Sequence, residues 1–116
     1  NYSLLRRENG EVVLAPLYDL VATHMWKELS PKLAMRFGRA ATLEEFDRES
    51  VARFADEAGL GAPYIRRRVS DLAEAVTEEI EKGIEVPGNP PEDAVAPIAE
   101  ALSARASIAA LKLFEA

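Results

Sequence analysis

The 116 residues have the length of one domain, and 48% apolar with 29% charged residues is typical of a globular chain and not of a disordered one. The absence of Cys excludes a disulfide framework, and one His without Cys excludes a His/Cys zinc site within the chain. No apolar run approaches the roughly 20 residues that span a bilayer, and the start lacks the layout of a signal peptide. We therefore predict a cytoplasmic protein with no membrane partner.

The net charge of −6 is unevenly distributed along the chain. Residues 1–39 contain six Lys or Arg and four Asp or Glu, whereas residues 40–116 contain eight and sixteen. Phosphate backbones require clustered positive charge, so direct nucleic-acid binding by this acidic chain is unfavourable.

The first third of the chain has the pattern of a β-hairpin. Apolar runs at 2–6 and 12–15 flank Asn9-Gly10, a dipeptide that favours tight hairpin turns. Pro16 cannot donate a ladder hydrogen bond, so the second strand should end near Ala15. A short turn or helical patch is expected at 24–26, and the alternation in 33–37 predicts another short strand that ends at Gly38.

From Thr42 the apolar period changes to that of helices. Thr42 and Glu45 form a capping-box pattern, which predicts a helix start at Thr42, and Gly59 supplies a left-handed helix end. Pro63 predicts the start of a second helix that ends near Gly83, and a Pro/Gly-rich linker separates it from a third over 92–114. The expected buried positions lie on one face of each helix: Val51, Phe54, Ala55 and Ala58; Ile65, Val69, Leu72, Ala73, Val76 and Ile80; Ile98, Leu102, Ala106, Ala109 and Leu113.

The predicted fold is therefore mainly α, with a small N-terminal β-hairpin followed by a three-helix bundle. We predict two parts, residues 1–41 with the hairpin and residues 42–116 with the helices. The third helix is apolar over a wide arc, which predicts a central place in the core or a covering partner. A lone hairpin is marginal in water, so the strand at 2–6 is expected to self-associate or to pair with another part of a larger sheet.

Asp19 is the most informative candidate for a functional residue, because all its neighbours in 14–21 are apolar or aromatic. A carboxylate desolvated there needs a cation or hydrogen-bond donors. One interpretation is a cap on a turn or a short helix. The other is a metal ligand, since carboxylate oxygens suit Mg²⁺, which neutralises nucleotide phosphates.

The segments 1–5 and 14–20, joined by the hairpin, resemble the core of HipA-family serine/threonine protein kinases, the toxins of bacterial toxin–antitoxin pairs. Segments 33–38 and 54–60 also resemble the C-terminal helical region of that family. The resemblance implies that Asn1 and Asp19 are metal-binding residues, with Asp19 the counterpart of the kinase D-F-G Asp. Leu20-Val21 follows Asp19 in place of Phe-Gly, a departure from ordinary kinases.

The same resemblance implies a C-terminal, kinase-like fragment of a larger enzyme. The catalytic Asp would lie five residues upstream of Asn1, so no catalytic residue and no nucleotide-binding lobe are expected in this chain, which should be inactive alone. Mg²⁺ and ATP would be cofactors of the full-length parent and would not bind tightly to the fragment. The implied partners are the N-terminal part of the parent kinase and an antitoxin of the HipB type.

Two further features have simpler alternatives. Arg66, Arg67 and Arg68 could contact phosphate or a partner, but intrahelical ion pairs with nearby acidic residues are the simpler interpretation. His24 is more simply a packed or surface residue than a ligand.

The competing hypothesis for the whole chain is a non-enzymatic helical protein-interaction domain, in which Asp19 is a cap. A stand-alone hydrolase has almost no support from the residues present.

Overall fold

A computed structural model describes residues 1–83 and 87–113 and confirms a mainly helical fold with an N-terminal hairpin. The hairpin strands pair only with each other, α1 packs on α2, and α2 packs on α3. The elements are β1 (Leu4–Arg6), β2 (Val12–Leu14), a 3₁₀ helix (Thr23–Met25), α1 (Arg48–Ala58), α2 (Ala62–Glu81) and α3 (Glu92–Lys112).

The hairpin is antiparallel, with Leu4 opposite Leu14 and Arg6 opposite Val12. Its loop is closed by two backbone hydrogen bonds of 2.9 Å, from Arg7 N–H to the Glu11 carbonyl and from Gly10 N–H to the Arg7 carbonyl. In this loop Gly10 alone has a positive φ, of 85°, so the connection has three residues and not the two-residue Asn-Gly turn. β2 ends before Pro16, as predicted.

The predicted strand at 33–37 is wrong. Phe37 instead forms an isolated bridge with Ala40, and the Leu33 N–H donates to the Ala41 carbonyl at 2.7 Å. Gly38, at φ 57°, reverses the chain immediately after Phe37. In the described part of the chain, residues 33–37 therefore have no neighbouring strand with which to pair. The predicted helical patch at 24–26 corresponds to the 3₁₀ helix.

The start of the first helix was also predicted too early. Thr42 and Glu45 do form the capping contacts, since Thr42 Oγ1 accepts from the Glu45 N–H at 3.4 Å and Glu45 Oε2 accepts from the Ala41 N–H at 2.7 Å. No helix follows, and α1 begins six residues later than Thr42. Asp47 is its N-cap and accepts from the Ser50 N–H at 2.7 Å.

The other helix ends are close to their predicted positions. Gly59 terminates α1 at φ 67°, and the Leu60 N–H donates to the Ala55 carbonyl at 2.8 Å, the 6→1 bond of a Schellman motif. Pro63 lies in the first turn of α2, where its missing N–H costs little. The predicted end of the third helix at Phe114 lies outside the described residues.

α3 does not have the central place that its apolar sequence predicted. None of its residues is fully buried; Ile108 and Leu111 are 44% and 62% exposed, and Ile98 is 41% exposed. By length and composition α3 could cross a membrane, with a mean hydropathy of 1.3 over 18 residues, which corrects the expectation that no such run exists. Core helices of soluble proteins pass the same test, and α3 packs along α2.

The hydrophobic core lies where the three helices meet the loop before α1. Val51 and Ala40 are completely buried, and Phe37 stacks on Phe54 with ring centroids 4.1 Å apart. The predicted faces are only partly buried, because Ala58 at the end of α1 and Leu72 and Val76 on α2 are exposed. The core consists of Ala40, Phe46, Val51, Ala55, Ile65 and Leu113, with Phe37, Leu43, Phe54, Ala62 and Val69 against it. The division at residue 41 stays a prediction, and the core takes residues from both sides of it.

Candidate functional site

The structure brings together the two residues predicted as metal ligands. Asn1 Nδ2 lies 3.2 Å from Asp19 Oδ2 and 3.3 Å from the Asp19 carbonyl oxygen. Eighteen residues separate them in sequence, and the hairpin closes that separation. Its register places Leu4 opposite Leu14, and the Ala15 N–H donates to the Ser3 carbonyl at 2.8 Å beyond the last ladder pair. The chain that follows β2 therefore returns beside the chain that precedes β1.

A second contact supports this arrangement from the neighbouring residues. Ser3 Oγ and the Tyr18 hydroxyl are 2.8 Å apart, within hydrogen-bond distance. Two side-chain contacts thus join residues 1–3 to residues 18–19, in addition to the backbone ladder. The sequence interpretation did not assign a polar role to Ser3 or Tyr18. The hairpin register places Ser3 opposite Ala15, so Tyr18 lies three residues beyond the paired position and the register alone does not predict this contact.

Asp19 has a backbone conformation that is uncommon for a residue other than Gly, Asn or Asp. Its φ is 55°, in the left-handed region that Asp tolerates better than most residues. Asn89, in the linker before α3, has a similar φ of 49°, so this conformation alone does not mark a ligand site. The carboxylate is bonded to Asn1, whereas the N-cap of the 3₁₀ helix is Ala22, with no side-chain cap hydrogen bond.

The environment of Asp19 differs from the expectation. Asp19 is exposed, and its apolar neighbours are also open to solvent, with Leu20 77% and Val21 57% exposed. The prediction of a desolvated carboxylate is therefore wrong for these residues, because no described segment covers the apolar run. The argument for a ligand role consequently rests on the contact with Asn1.

The donor set of Asn1 and Asp19 fits a hard cation. Oxygen ligands that are neighbours on an octahedral Mg²⁺, each about 2.1 Å from the ion, lie about 3 Å from one another. The 3.2 Å between Asn1 Nδ2 and Asp19 Oδ2 is the length of an N–H···O hydrogen bond, which the Asn1 amide donates. To act as a ligand, the Asn1 amide would rotate by 180° to turn Oδ1 toward the ion, and this hydrogen bond would be replaced by contacts with the ion. Two protein ligands suit Mg²⁺, which keeps waters and phosphate oxygens in its remaining positions.

The described residues contain no larger cluster of metal-binding side chains. Within 1–83 and 87–113 no group of three or more His, Cys, Asp or Glu side chains is placed to hold a metal ion. His24 lies outside the Asn1–Asp19 contact; its Nε2 is buried and makes no hydrogen bond to the described chain. His24 directly follows Thr23, which lines a mainly apolar cavity of about 370 Å³ together with Val21, Trp26, Glu28 and Leu29.

A second polar cluster surrounds the start of α1. Asp47 accepts hydrogen bonds of 2.7 Å from the Ser50 N–H, from Ser50 Oγ and from Arg39 Nη2. The Ser50 N–H, followed by Arg39 and the Ser50 hydroxyl, holds the pKa of the Asp47 carboxyl well below its usual range. These contacts account for the side chain as a helix cap. The cluster borders a cavity of about 720 Å³ that Glu44 and Lys112 also line.

The three adjacent arginines, Arg66 to Arg68, make different contacts in the structure. Arg68 forms an intrahelical ion pair with Asp71 at 3.4 Å, as the simpler interpretation expected. Arg66 and Arg67 instead line a groove with Arg48. The intrahelical interpretation is therefore confirmed for Arg68 and does not describe the other two.

Comparison with known proteins gives one significant relative among curated proteins. The chain is 42% identical over 85 residues to a protein of Sinorhizobium fredii named "Putative kinase Y4mE". The similarity covers 73% of this chain and 20% of the relative, so the chain corresponds to about one fifth of the relative's length. No protein-family model matches the sequence, and no solved structure matches it significantly.

Proposed function

We propose that this chain is a C-terminal segment of a HipA-like serine/threonine protein kinase, and that it contributes Mg²⁺-binding residues and a helical scaffold to the Mg-ATP site. The observation that carries the proposal is the contact of 3.2 Å between Asn1 and Asp19, the two residues that the resemblance assigns to the metal. The identity of 42% to a protein named as a kinase supports the kinase class. The toxin role and a HipB-type antitoxin partner rest on the resemblance alone.

The role of the chain's own residues follows from their chemistry. Asp19 supplies a negatively charged oxygen ligand and Asn1 a neutral one, and the bound Mg²⁺ would neutralise nucleotide phosphates. The Ser3–Tyr18 hydrogen bond of 2.8 Å positions both ligands by joining the two chain segments on which they lie. The catalytic base and the nucleotide lobe would come from the N-terminal part of the parent kinase.

The test is Asp19→Asn in the full-length product of the gene that encodes this chain. The amide oxygen is a poorer ligand for a hard dication, and loss of one preorganised electrostatic group typically lowers the rate by ~10²–10³. We expect a loss of that size in the transfer of phosphate from radiolabelled ATP to a protein substrate. Asp56→Asn is the matched control, because Asp56 is exposed on α1 and remote from the hairpin in sequence.

Melting temperature gives the second readout of the same variants. Asp19 is exposed, so its replacement should leave the melting temperature without Mg²⁺ almost unchanged. Mg²⁺ with a nucleotide should stabilise the unmodified protein and the Asp56→Asn protein more than the Asp19→Asn protein. Near-normal phosphate transfer by Asp19→Asn would refute the metal assignment.

A non-enzymatic helical interaction domain is the second candidate. It is favoured by the apolar side chains that the helices leave open, since Leu72 is 56% and Leu111 62% exposed. The gene sequence upstream of Asn1 distinguishes the two candidates. The kinase requires an Asp five residues before Asn1 and a nucleotide-binding lobe before that, whereas the interaction domain requires neither.

A further inference from the structure

A groove lined by three arginines, with a mainly apolar exposed lining, lies where the ends of the three helices converge. Arg48 is the first residue of α1, Arg66 and Arg67 lie near the start of α2, and Ser70 follows one turn later. With Leu113, which follows α3, these residues line a groove of about 460 Å³. Leu113 is 2% exposed and belongs to the hydrophobic core, so the groove borders packed structure.

The arginines of this groove differ from the other basic residues of the helices. Within residues 1–83 and 87–113, none of the three is within 4.0 Å of a carboxylate. The other basic residues of the helices, and Lys82 directly after α2, do have partners: Arg53 with Glu57, Arg68 with Asp71, Lys82 with Glu79, Arg105 with Glu44, and Lys112 with the Glu44 carbonyl. The charges without a described acidic partner are thus the ones gathered in a single groove.

We infer that this groove is a binding site for a phosphoryl group, either as inorganic phosphate or as a phosphate monoester on a side chain. Guanidinium groups present planar pairs of donors that match phosphate oxygens, and the Ser70 hydroxyl adds a further donor. An anion bound in the groove would be attracted by the positive charge of each arginine that lines it.

The surrounding charge indicates a single phosphoryl group and not a nucleic acid. Residues 40–116 contain sixteen acidic and eight basic residues, so this part of the chain lacks the excess of positive charge that a nucleic-acid surface needs. The inference is independent of the proposed kinase activity, because none of the groove residues lies in the hairpin segment that contains Asn1 and Asp19.

The experiment is calorimetric titration of the full-length protein with inorganic phosphate and, separately, with O-phosphoserine. Arg66→Gln and Arg67→Gln should each weaken binding about tenfold or more, the factor that loss of one charge-assisted hydrogen bond carries. Arg68→Gln is the matched control, because it removes the same charge from the adjacent position but outside the groove lining. It should change the dissociation constant less than about twofold. The lysine variants Arg66→Lys and Arg67→Lys keep the charge and should give intermediate affinities, since they lose the planar pair of donors.

Several results would overturn the assignment. Equal weakening by Arg68→Gln would show a general charge effect, and the absence of phosphate and phosphoserine binding would exclude the site. Binding of a short DNA or RNA duplex without binding of phosphate monoesters would assign the groove to nucleic acid instead. Phosphate held at a nucleotide site would respond to Asp19→Asn and not to Arg66→Gln, so failure of this inference and failure of the kinase proposal are distinguishable.

Discussion

Gly38 is the residue whose replacement should damage the helical core most directly. An ideal Cβ at this position would lie 2.2 Å from the Ser50 carbonyl oxygen, 3.0 Å from the Ser50 carbonyl carbon and 3.2 Å from the Phe54 backbone nitrogen. These atoms belong to the backbone of α1, and Ser50 is completely buried. Gly38→Ala therefore places a methyl group against backbone atoms of α1, which cannot move aside as the end of a flexible side chain could.

Two costs contribute to the expected loss of stability. The φ of 57° at Gly38 costs an L-residue about 1–2 kcal/mol, partly offset by the lower chain entropy of Ala in the unfolded state. Relief of the clash requires the turn and α1 to separate, which disturbs the Phe37–Phe54 stack, and overpacking of this kind typically costs about 1–3 kcal/mol. The sum is about 3 kcal/mol, a large part of the stability of a small domain.

Urea denaturation of the chain, followed by far-UV circular dichroism, measures this loss. Gly59→Ala is the control: Gly59 has a similar φ of 67°, but no atom lies within 4 Å of its added Cβ. It should lose only about 1 kcal/mol. Equal losses for the two variants would refute the reasoning, because they would show that the approach of Gly38 to α1 has no energetic consequence.

Two other predictions concern the helix cap and the hairpin. Asp47→Ala should destabilise the chain by about 1 kcal/mol, and Thr42→Ala by less, since only Asp47 caps a helix. Because the pKa of Asp47 is lowered in the folded state, its contribution to the free energy of unfolding is present above about pH 4 and is lost as the pH falls below that value. Urea titrations at several acidic pH values should therefore show that the stability of Asp47→Ala depends less on pH. An unchanged pH dependence would assign the effect to other carboxylates. Hydrogen exchange in a monomeric sample should show residues 1–20 opening before residues 48–80, because the hairpin has no extensive contact with any helix, and better protection of the hairpin would contradict this.

The contact between Asn1 and Asp19 was accessible to sequence reasoning because a hairpin register is local. A turn near Asn9-Gly10 brings the residues before and after the strands together, and the resemblance implied that Asn1 and Asp19 are metal-binding residues. The exposure of Asp19 was not accessible. Apolar neighbours predict burial only if a partner surface exists, and within residues 1–83 and 87–113 no such surface covers the apolar run at 17–21.

The sequence by itself determined the elements whose signals are local: the hairpin, the Gly59 helix end, the Pro63 helix start and the length of α2. Tertiary structure decided the rest. The capping pattern at Thr42 forms its hydrogen bonds without a helix, because Phe46 is buried in the core and Asp47 offers a second cap closer to the packed face of α1. The alternation before Gly38 gave no strand, since a strand needs a partner and Gly38 instead packs its backbone against Ser50. The burial of each apolar face depended on how α2 and α3 pack against each other. This is a long-range contact, and the apolar periodicity within one helix does not predict it.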